Sequence, residues 1–287
     1  MSFGMFLKST ILIGLLESAP LMLAAVGFTL IFRLNSFMNI AYAENATMGA
    51  YLGVTLNALL GWNFYVSIVP SALLAGGLSV LTYLVVFRPA MKKGVGPTEM
   101  IILSVGLSFF LRYGMQLIWG SKLYHFEVAN TAYLDFMGVG ITSTQIICLG
   151  LALITAFGLY FFIYKTNYGE IMRALADSEE LSMISGVNPL RVSVVVWFLS
   201  GVAGGLAGIF TGVFTWVNTG IGWNMILLVL LVAIIGKVGS VRGALLAGAA
   251  VGIITTAVTL FTQPAYGVVL LLVIFIGILK FRKVGVR

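Results

Sequence analysis

Few residues in this sequence could do chemistry, and they do not occur in the combinations that catalysis or metal binding requires. The sequence has one histidine, His125, and one cysteine, Cys148. Nucleophilic catalysis pairs a nucleophile with a neighbouring base, and a zinc site needs several nitrogen or sulfur ligands. The run Gly236-Lys237-Val238 lacks the serine or threonine of a P-loop, so the chain is not expected to hydrolyse ATP. The sequence therefore predicts no enzyme, no metal site and no cofactor in this chain.

A group of polar residues in the segment 35–57 could instead form a solute pathway. The segment reads NSFMNIAYAENATMGAYLGVTLN, with polar residues between apolar ones. Taken as one helix, it has a small and polar face that contains Asn35, Asn39, Tyr42, Ala46, Gly49 and Gly53. A second polar face, roughly opposite, contains Glu44, Thr47, Tyr51 and Thr55. Because lipid does not solvate two polar faces, we expect this helix to be buried in protein or beside a water-filled route.

Four residues of this segment are the predicted substrate pathway: Asn39, Tyr42, Glu44 and Asn45. An ionisable residue at membrane depth costs a few kcal/mol and usually marks a pathway. Glu44 also has a purely structural interpretation, in which it pairs with Arg112, the other charge inside an apolar segment, and holds two helices together. The sequence leaves both interpretations open.

The elements that must position these residues are membrane-spanning helices. Of the 287 residues, 60% are hydrophobic and only 9% are charged, whereas soluble domains have roughly 25% charged residues. Several apolar runs reach the roughly 20 residues that cross a bilayer. The sequence predicts an all-α, polytopic transmembrane helical bundle in a single domain, residues 1–287. Its apolar segments are 11–32, 37–58, 64–87, 98–119, 144–164, 192–216, 222–236, 241–261 and 264–281.

Two places decide whether eight or nine of these segments span the membrane. The run Glu17-Ser18-Ala19-Pro20 could begin a new helix with proline in its first turn, which would leave the stretch before it at the interface. Segment 222–236 is short and is followed by Gly236, Gly239 and Gly243. That pattern is typical of a cytoplasmic hairpin, which we favour, or of a broken, re-entrant element buried in protein.

Charges at the ends of the apolar segments predict the orientation of the chain. If residues 88–93 are cytoplasmic, alternation places all but three of the sixteen Lys and Arg residues inside. The three exceptions are Lys8, Lys122 and Arg112. The positive-inside rule then predicts an external N-terminus, an external loop at 120–143, a cytoplasmic loop at 165–191 and a cytoplasmic C-terminus. The net charge of +7 follows from this topology, so no nucleic-acid partner is expected.

The cytoplasmic loop contains a predicted short helix, Tyr168 to Ser185. Gly186 is placed to end this helix, and Asn188-Pro189 prevents its continuation. Acidic residues outnumber basic ones, which disfavours an anionic lipid surface and favours docking into the groove of a cytoplasmic partner. The apolar residues of the helix are Ala174, Leu175, Leu181, Met183 and Ile184, and its acids are Glu170, Asp177, Glu179 and Glu180.

Glycines at a spacing of four predict close helix packing in segment 192–216. Gly201 and Gly205 form one G-x-x-x-G pair, and Gly204 and Gly208 form another. Such pairs allow two helix backbones to approach each other closely. The neighbouring helix could belong to this chain or to a second subunit.

Three blocks of residues resemble LivH-type permeases, the membrane subunits of branched-chain amino-acid ABC importers. The first block is Ala25-x-Gly27-x-Thr29-Leu30-Ile31-Phe32, then Asn39-x-Ala41 and Met48-Gly49-Ala50-Tyr51-Leu52. The second is Arg173-Ala174-x-Ala176-Asp177 through Gly186-Val187-Asn188 and Arg191, then Leu206-Ala207-Gly208. The third is Gly239-Ser240-x-x-Gly243-Ala244. Together the blocks cover nearly the whole chain in the family's order.

The resemblance implies a set of partners and a role for the cytoplasmic loop. It implies a sibling permease in a heterodimer, two cytoplasmic ATPase subunits that hold ATP and magnesium, and an extracytoplasmic solute-binding protein seated by loop 120–143. It implies a bacterial or archaeal plasma (inner) membrane and an amino-acid substrate. The residues implied to couple to the ATPase are Arg173, Ala174, Ala176, Asp177, Glu180 and Gly186.

Two departures from the family pattern leave other substrates open. Tyr42 and Ala43 stand where the family usually has His-Gly, and Gly236-Lys237 and Arg242 differ from a block that usually has Gly-Gly and proline. Relatives of the family also carry urea and amides. An ion-coupled secondary transporter, with Glu44 as its coupling group, is the main alternative. A channel, which would conduct without any partner, is a second alternative. A membrane enzyme is the third and weakest, because the sequence lacks a paired acid and base.

Overall fold

A computed structural model describes residues 3–128, 131–136 and 139–259, together with 269–270, 272–273, 276–277 and 280. Helices make up most of this part of the chain, so the predicted all-α class is confirmed. In order they are α1 (Phe3–Glu17), α2 (Ala19–Asn35), α3 (Ala43–Val54), α4 (Phe64–Thr82), α5 (Arg88–Lys92), α6 (Pro97–Trp119), α7 (Ser143–Lys165), α8 (Asn167–Asp177), α9 (Glu179–Ile184), α10 (Pro189–Phe214), α11 (Ile221–Ile235) and α12 (Val241–Thr259).

Shorter elements connect these helices. A 3-10 turn, Ile40–Tyr42, leads into α3, and a π-helical turn, Thr55–Leu59, follows it. A second π-helical turn, Tyr83–Phe87, joins α4 and α5 into one continuous helix. The strands β1 (Tyr133–Phe136) and β2 (Val139–Thr142) form an antiparallel hairpin in loop 120–143.

The number of spanning helices is smaller than the predicted eight or nine. Among the described residues, five helices are long and apolar enough to cross a membrane, or six if Leu7–Glu17 and Ala19–Asn35 count as one bent span. The helix α11 has only 15 residues and α3 only 12. Most of segment 264–281 lies outside the described residues. The prediction was too high because apolar composition does not show where a helix breaks.

The chain bends by 45° at Ser18, between α1 and α2. A new helix begins here, which is one of the two alternatives that the sequence left open. Pro20 lies in its first turn, where a backbone N–H would have no acceptor within the helix. The Ser18 hydroxyl donates to the carbonyl of Leu15 at 2.8 Å instead of capping α2. A Cβ on Gly252 of α12 would overlap the Ser18 side chain, so α12 packs directly against the bend.

The segment 35–57 is not one helix, so the predicted small and polar face is wrong for its first two residues, Asn35 and Asn39. The helix α2 ends at Asn35, Ser36 takes a left-handed conformation with φ 56°, and Asn39 is extended. Asn35 and Asn39 therefore do not share a helix face with Tyr42. No proline marks this break, so the sequence pattern alone did not reveal it.

The helix α10 lies at the centre of the bundle, in contact with α2, α3 and α4. Of its most apolar stretch, 72% is buried, against 22% for α6. Gly201 and Gly205 face Ala75 and its neighbours on α4, whereas Gly204 and Gly208 face α3. A Cβ on Gly208 would overlap the carbonyl of Ala46. Both glycine pairs thus pack against helices of this same chain.

The loops fall into two groups at opposite ends of the bundle. At one end, the backbones of Tyr124 and Val217 pair with each other, and Asn57 donates to the carbonyl of Glu127 at 3.1 Å. At the other end, Arg33 donates to the carbonyl of Gly239 at 3.2 Å. The grouping matches the two sets of loops that alternation assigned to the outside and the inside.

Candidate functional site

A buried ion pair connects α3 to α6. The Oε1 atom of Glu44, on the first turn of α3, accepts from the Ser108 hydroxyl at 2.8 Å and from Nη2 of Arg112 at 3.1 Å. Glu44 is fully buried and the Arg112 side chain is 14% exposed. The Arg112 guanidinium also lies 4.6 Å from the ring centre of Trp223 on α11. This cluster joins α3, α6 and α11, so the pairing that the sequence left open is present.

The rest of the second polar face also contacts α6 and α11. The Thr47 hydroxyl accepts from the backbone N–H of Gly222 at 3.1 Å, and the Thr55 hydroxyl accepts from the indole N–H of Trp119 at 2.8 Å. The Tyr51 ring stacks on Trp119, with 5.0 Å between the ring centres. Thr47 and Thr55 thus have protein partners, whereas the Tyr51 hydroxyl is buried without a hydrogen-bond partner among the described residues.

The other predicted pathway residues lie between α3, α2 and α10. The Tyr42 hydroxyl donates to the carbonyl of Ser200 at 3.4 Å, and the Ser200 hydroxyl donates to the carbonyl of Gly27 at 2.6 Å. Asn39 and Asn45 are both buried. The structure brings Tyr42 and Asn45 together beside Gly204 and leaves Asn39 in the extended segment before them.

A cavity of about 730 Å³ opens at the end of the bundle that holds the bend at Ser18. It lies between the start of α2, the end of α10, the start of α11 and the end of α12. Its volume is within the range of small-molecule sites. Its polar lining includes Glu17, Thr215, Asn218, Asn224, Thr255 and Thr256, and its apolar lining includes Leu21, Phe214, Trp216, Met225 and Leu228. The predicted pathway residues do not line it.

Local turns hold the polar residues of this cavity in place. Asn218 Oδ1 accepts from the Gly220 N–H at 2.7 Å, which shapes the turn that begins α11. Thr256 donates to a carboxylate oxygen of Glu17 at 3.3 Å, yet Glu17 stays exposed to solvent. The arrangement offers a carboxylate and side-chain amides beside an apolar wall.

Sequence reasoning missed this cavity. Glu17 was noticed only as part of a helix start, and Asn218 and Asn224 were not singled out. The one sequence feature that could have indicated these two asparagines is their position on either side of the start of the short apolar segment 222–236. Thr256 lies 239 positions from Glu17, and only the folded chain brings such residues together.

The loop 165–191 forms two helices, α8 and α9, where one was predicted. Ser178 is extended between them, and its hydroxyl accepts from the Leu181 N–H at 3.4 Å, so it caps α9. Glu179 in the first turn favours a new helix start because a carboxylate stabilises the positive end of the helix dipole. Gly186, with φ 83°, ends α9 as predicted, and its N–H donates to the carbonyl of Met183.

The predicted coupling residues differ in their exposure. Some lie on α8 against the bundle, and others are exposed on α8 or α9. Met172 and Leu175 are buried against the bundle. Arg173 is half-buried and donates to the carbonyl of Ile163. On α9, Leu181 is 67% and Ile184 83% exposed. The remaining predicted residues are the exposed Ala174, Asp177, Glu180 and Gly186 and the half-buried Ala176.

A bundle of apolar helices, several of them long enough to cross a membrane, defines a multi-pass membrane protein. The chain belongs to the family of the branched-chain amino acid transport system permease component, whose model matches residues 10–279. The LivH-type resemblance is therefore confirmed. Members of this family are transport permeases.

Curated relatives match the chain over almost its whole length. It is 26% identical to a probable branched-chain amino acid transport permease protein LivH of Methanocaldococcus jannaschii, covering 95% of this chain and 90% of the relative. It is 25% identical to the high-affinity branched-chain amino acid transport system permease protein BraD of Pseudomonas aeruginosa, covering 95% and 93%. It is 22% identical to LivH of Escherichia coli K12, covering 92% and 90%. No solved structure matches the chain significantly.

Proposed function

We propose that this chain is the permease subunit of an ABC importer that carries branched-chain or other amino acids. Within the permease family, the observation that carries this proposal is the exposed surface of α9. Leu181, Met183 and Ile184 are exposed on a helix that also presents Glu179 and Glu180. An apolar surface with adjacent charges is suited to a protein groove. Its acids disfavour the anionic face of a membrane.

The proposed partner at this surface is a pair of ATPase subunits that hold ATP and magnesium. The helix α8 is attached to the bundle through Met172, Arg173 and Leu175, while α9 is free to enter a groove. ATPase closure would thus move α8 against the end of α7. The permease would switch between two states because its partners bind those states with different affinity.

The cavity at the opposite end supports an amino-acid substrate. An amino acid needs an acceptor for its ammonium group, donors for its carboxylate and an apolar wall for an aliphatic side chain. Glu17 supplies the acceptor, Asn218 and Asn224 supply amide donors, and Met225 and Leu228 supply apolar contact. A solute from this cavity would reach the predicted pathway residues Asn39, Tyr42, Glu44 and Asn45 deeper in the bundle.

The proposal includes the orientation and the remaining partners. The cavity and loop 120–143 would face an extracytoplasmic solute-binding protein, and α8–α9 would face the cytoplasm of a bacterial or archaeal cell. The N-terminus would lie outside and the C-terminus inside the plasma (inner) membrane. A sibling permease would complete a heterodimer, and the weakly buried helices α6 and α7 offer the largest free surface for it.

Co-purification tests the proposal. The chain is tagged in its native membrane, extracted gently, and the proteins that accompany it are identified by mass spectrometry. We expect a P-loop ATPase, a second permease and a solute-binding protein. Titration of that binding protein with branched-chain amino acids, urea and amides then identifies the solute. A chain that purifies alone and transports solute with an ion gradient would contradict the proposal.

A further inference from the structure

Three arginines from three different helices surround one tyrosine at the end of the bundle that carries α8. The guanidinium carbons of Arg33, Arg173 and Arg242 lie 5.8, 5.9 and 6.0 Å from the ring centre of Tyr164. Arg242 is also 4.8 Å from the ring centre of Tyr160, one turn earlier on α7. We name these five residues the arginine cluster.

The positive charge of the cluster is not neutralised by the protein that surrounds it. Within the described residues, none of the three guanidinium groups has a carboxylate oxygen within 4.0 Å. Their hydrogen-bond acceptors are neutral: Arg33 donates to the Tyr164 hydroxyl and the Gly239 carbonyl, and Arg242 donates to the Tyr160 hydroxyl. All three guanidinium groups lie within 6.0 Å of one ring centre, so three like charges occupy one small region, and this arrangement favours a bound anion.

The position of Arg242 strengthens this preference. It lies in the first turn of α12, which contains no acidic residue. The helix dipole places partial positive charge at that end, so the dipole adds to the charge of the three arginines. Arg242 is exposed, whereas Arg33 is half-buried, so the cluster is open to a ligand from the Arg242 side.

Exposed apolar side chains lie beside the cluster, towards the middle of the bundle. Phe157 and Phe161 are exposed on α7, two turns and one turn before Tyr164, respectively. Leu246 is exposed on α12, one turn after Arg242. A ligand that covers both parts must have an anionic head and an apolar tail. We propose that the arginine cluster binds the headgroup phosphate of an anionic phospholipid, whose acyl chains lie along Phe157, Phe161 and Leu246.

Arg173 connects this site to α8, the helix that carries several of the residues predicted to couple to the ATPase. It belongs to α8 and donates to the Ile163 carbonyl at the end of α7. A phosphate held between Arg242 and Arg173 would fix α8 against α7 and α12. Arginine is well suited to this role because its planar guanidinium forms two parallel hydrogen bonds to a phosphate.

Native mass spectrometry of the full-length complex tests the proposal. The protein is exchanged into mixed micelles with equal amounts of phosphatidylglycerol and phosphatidylcholine, and the retained lipid is counted. We expect phosphatidylglycerol to be retained in preference. Because each basic residue near a phosphate contributes roughly 1 kcal/mol, Arg242→Gln should weaken this retention about fivefold. Equal retention of the two lipids by the unaltered protein would overturn the proposal.

Matched variants and a soluble competitor make the test specific. Lys92→Gln removes an exposed cation at the same end but outside the cluster, and should leave the preference unchanged. Arg242→Lys keeps the positive charge but removes the planar guanidinium group, so it should weaken lipid retention about twofold. Inorganic phosphate at the same concentration should not displace the lipid. Displacement by phosphate alone, or equal effects of Arg242→Gln and Lys92→Gln, would refute the lipid site.

Discussion

At the scale of the residue, the pair of Glu44 and Arg112 is the feature with the largest energetic consequence. Arg112 comes from the spanning helix α6 and Glu44 from the shorter helix α3, and Glu44 has no exposed surface. Removing one partner of a buried pair leaves an uncompensated charge and costs about 3–5 kcal/mol. Truncating either side chain is therefore expected to destabilise the bundle, whether or not Glu44 also contacts solute.

Glu44→Gln separates the two roles. The amide oxygen can still accept from Ser108 and Arg112, but the negative charge is lost. We expect near-normal yield of the complex and uptake reduced about tenfold, since a charge-assisted hydrogen bond contributes about 1.5–3 kcal/mol. Uptake is measured with labelled solute in reconstituted vesicles. A loss of folded complex at unchanged specific uptake would assign Glu44 a structural role only.

Glu17 provides a second test at this scale. Its carboxylate is exposed in the cavity and accepts from Thr256. If it holds the ammonium group of the substrate, Glu17→Gln should lower uptake of amino acids about tenfold, by the same loss of a charged hydrogen bond. Glu127→Gln, at the same end but outside this cavity, is the matched control. Equal uptake by the two variants would exclude Glu17 from substrate binding.

At the scale of the element, the exposed apolar side chains of α9 should bind the ATPase. Ile184→Glu places a charge on a surface that is 83% exposed in this chain, so folding should not change. Recovery of the ATPase with the tagged permease should fall at least about tenfold, the loss expected when an interface anchor is truncated at a cost above about 2 kcal/mol. Tyr133→Glu changes an equally exposed residue at the opposite end and should leave recovery unchanged.

The glycine pairs of α10 make a separate prediction about stability. A Cβ on Gly208 has no space against the carbonyl of Ala46, whereas a Cβ on Gly158 of α7 meets no atom within 4 Å. Gly208→Val should lower the free energy of unfolding by about 3 kcal/mol or more because α3 and α10 must separate. Gly158→Val should change it by less than about 1 kcal/mol. Denaturant titration in detergent measures both, and similar values would contradict this packing.

The elements show what a single sequence reveals and what it does not. Apolar length and the turn residues Pro20, Gly186 and Pro189 predicted most helices and several of their ends. The breaks at Ser36 and Ser178 were missed because each depends on one backbone conformation, which serine adopts without a distinctive sequence signal. The cavity was missed for a different reason, since its residues come from four distant elements and no local pattern connects them.

At the scale of the whole molecule, the two groups of loops predict opposite labelling from the two sides of the membrane. Cys148 is buried, so the unaltered chain should not react with a membrane-impermeant thiol reagent and serves as the background. Glu127→Cys should react in intact cells. Glu170→Cys should react only in inverted vesicles, because positive residues surround its end of the bundle. Labelling of both positions from the same side would contradict the proposed orientation.

The central position of α10 has a mechanical consequence. Its backbone touches α3 on one side through Gly204 and Gly208, and α4 on the other through Gly201 and Gly205. At Gly201, Gly205 and Gly208 the nearest atoms are backbone atoms or Cβ atoms, so these contacts cannot be compressed or repacked gradually. We therefore expect α3, α10 and α4 to move as one stiff unit. The shape change of a transport cycle would then be concentrated in α6 and α7, which have the smallest buried fractions among the spanning helices.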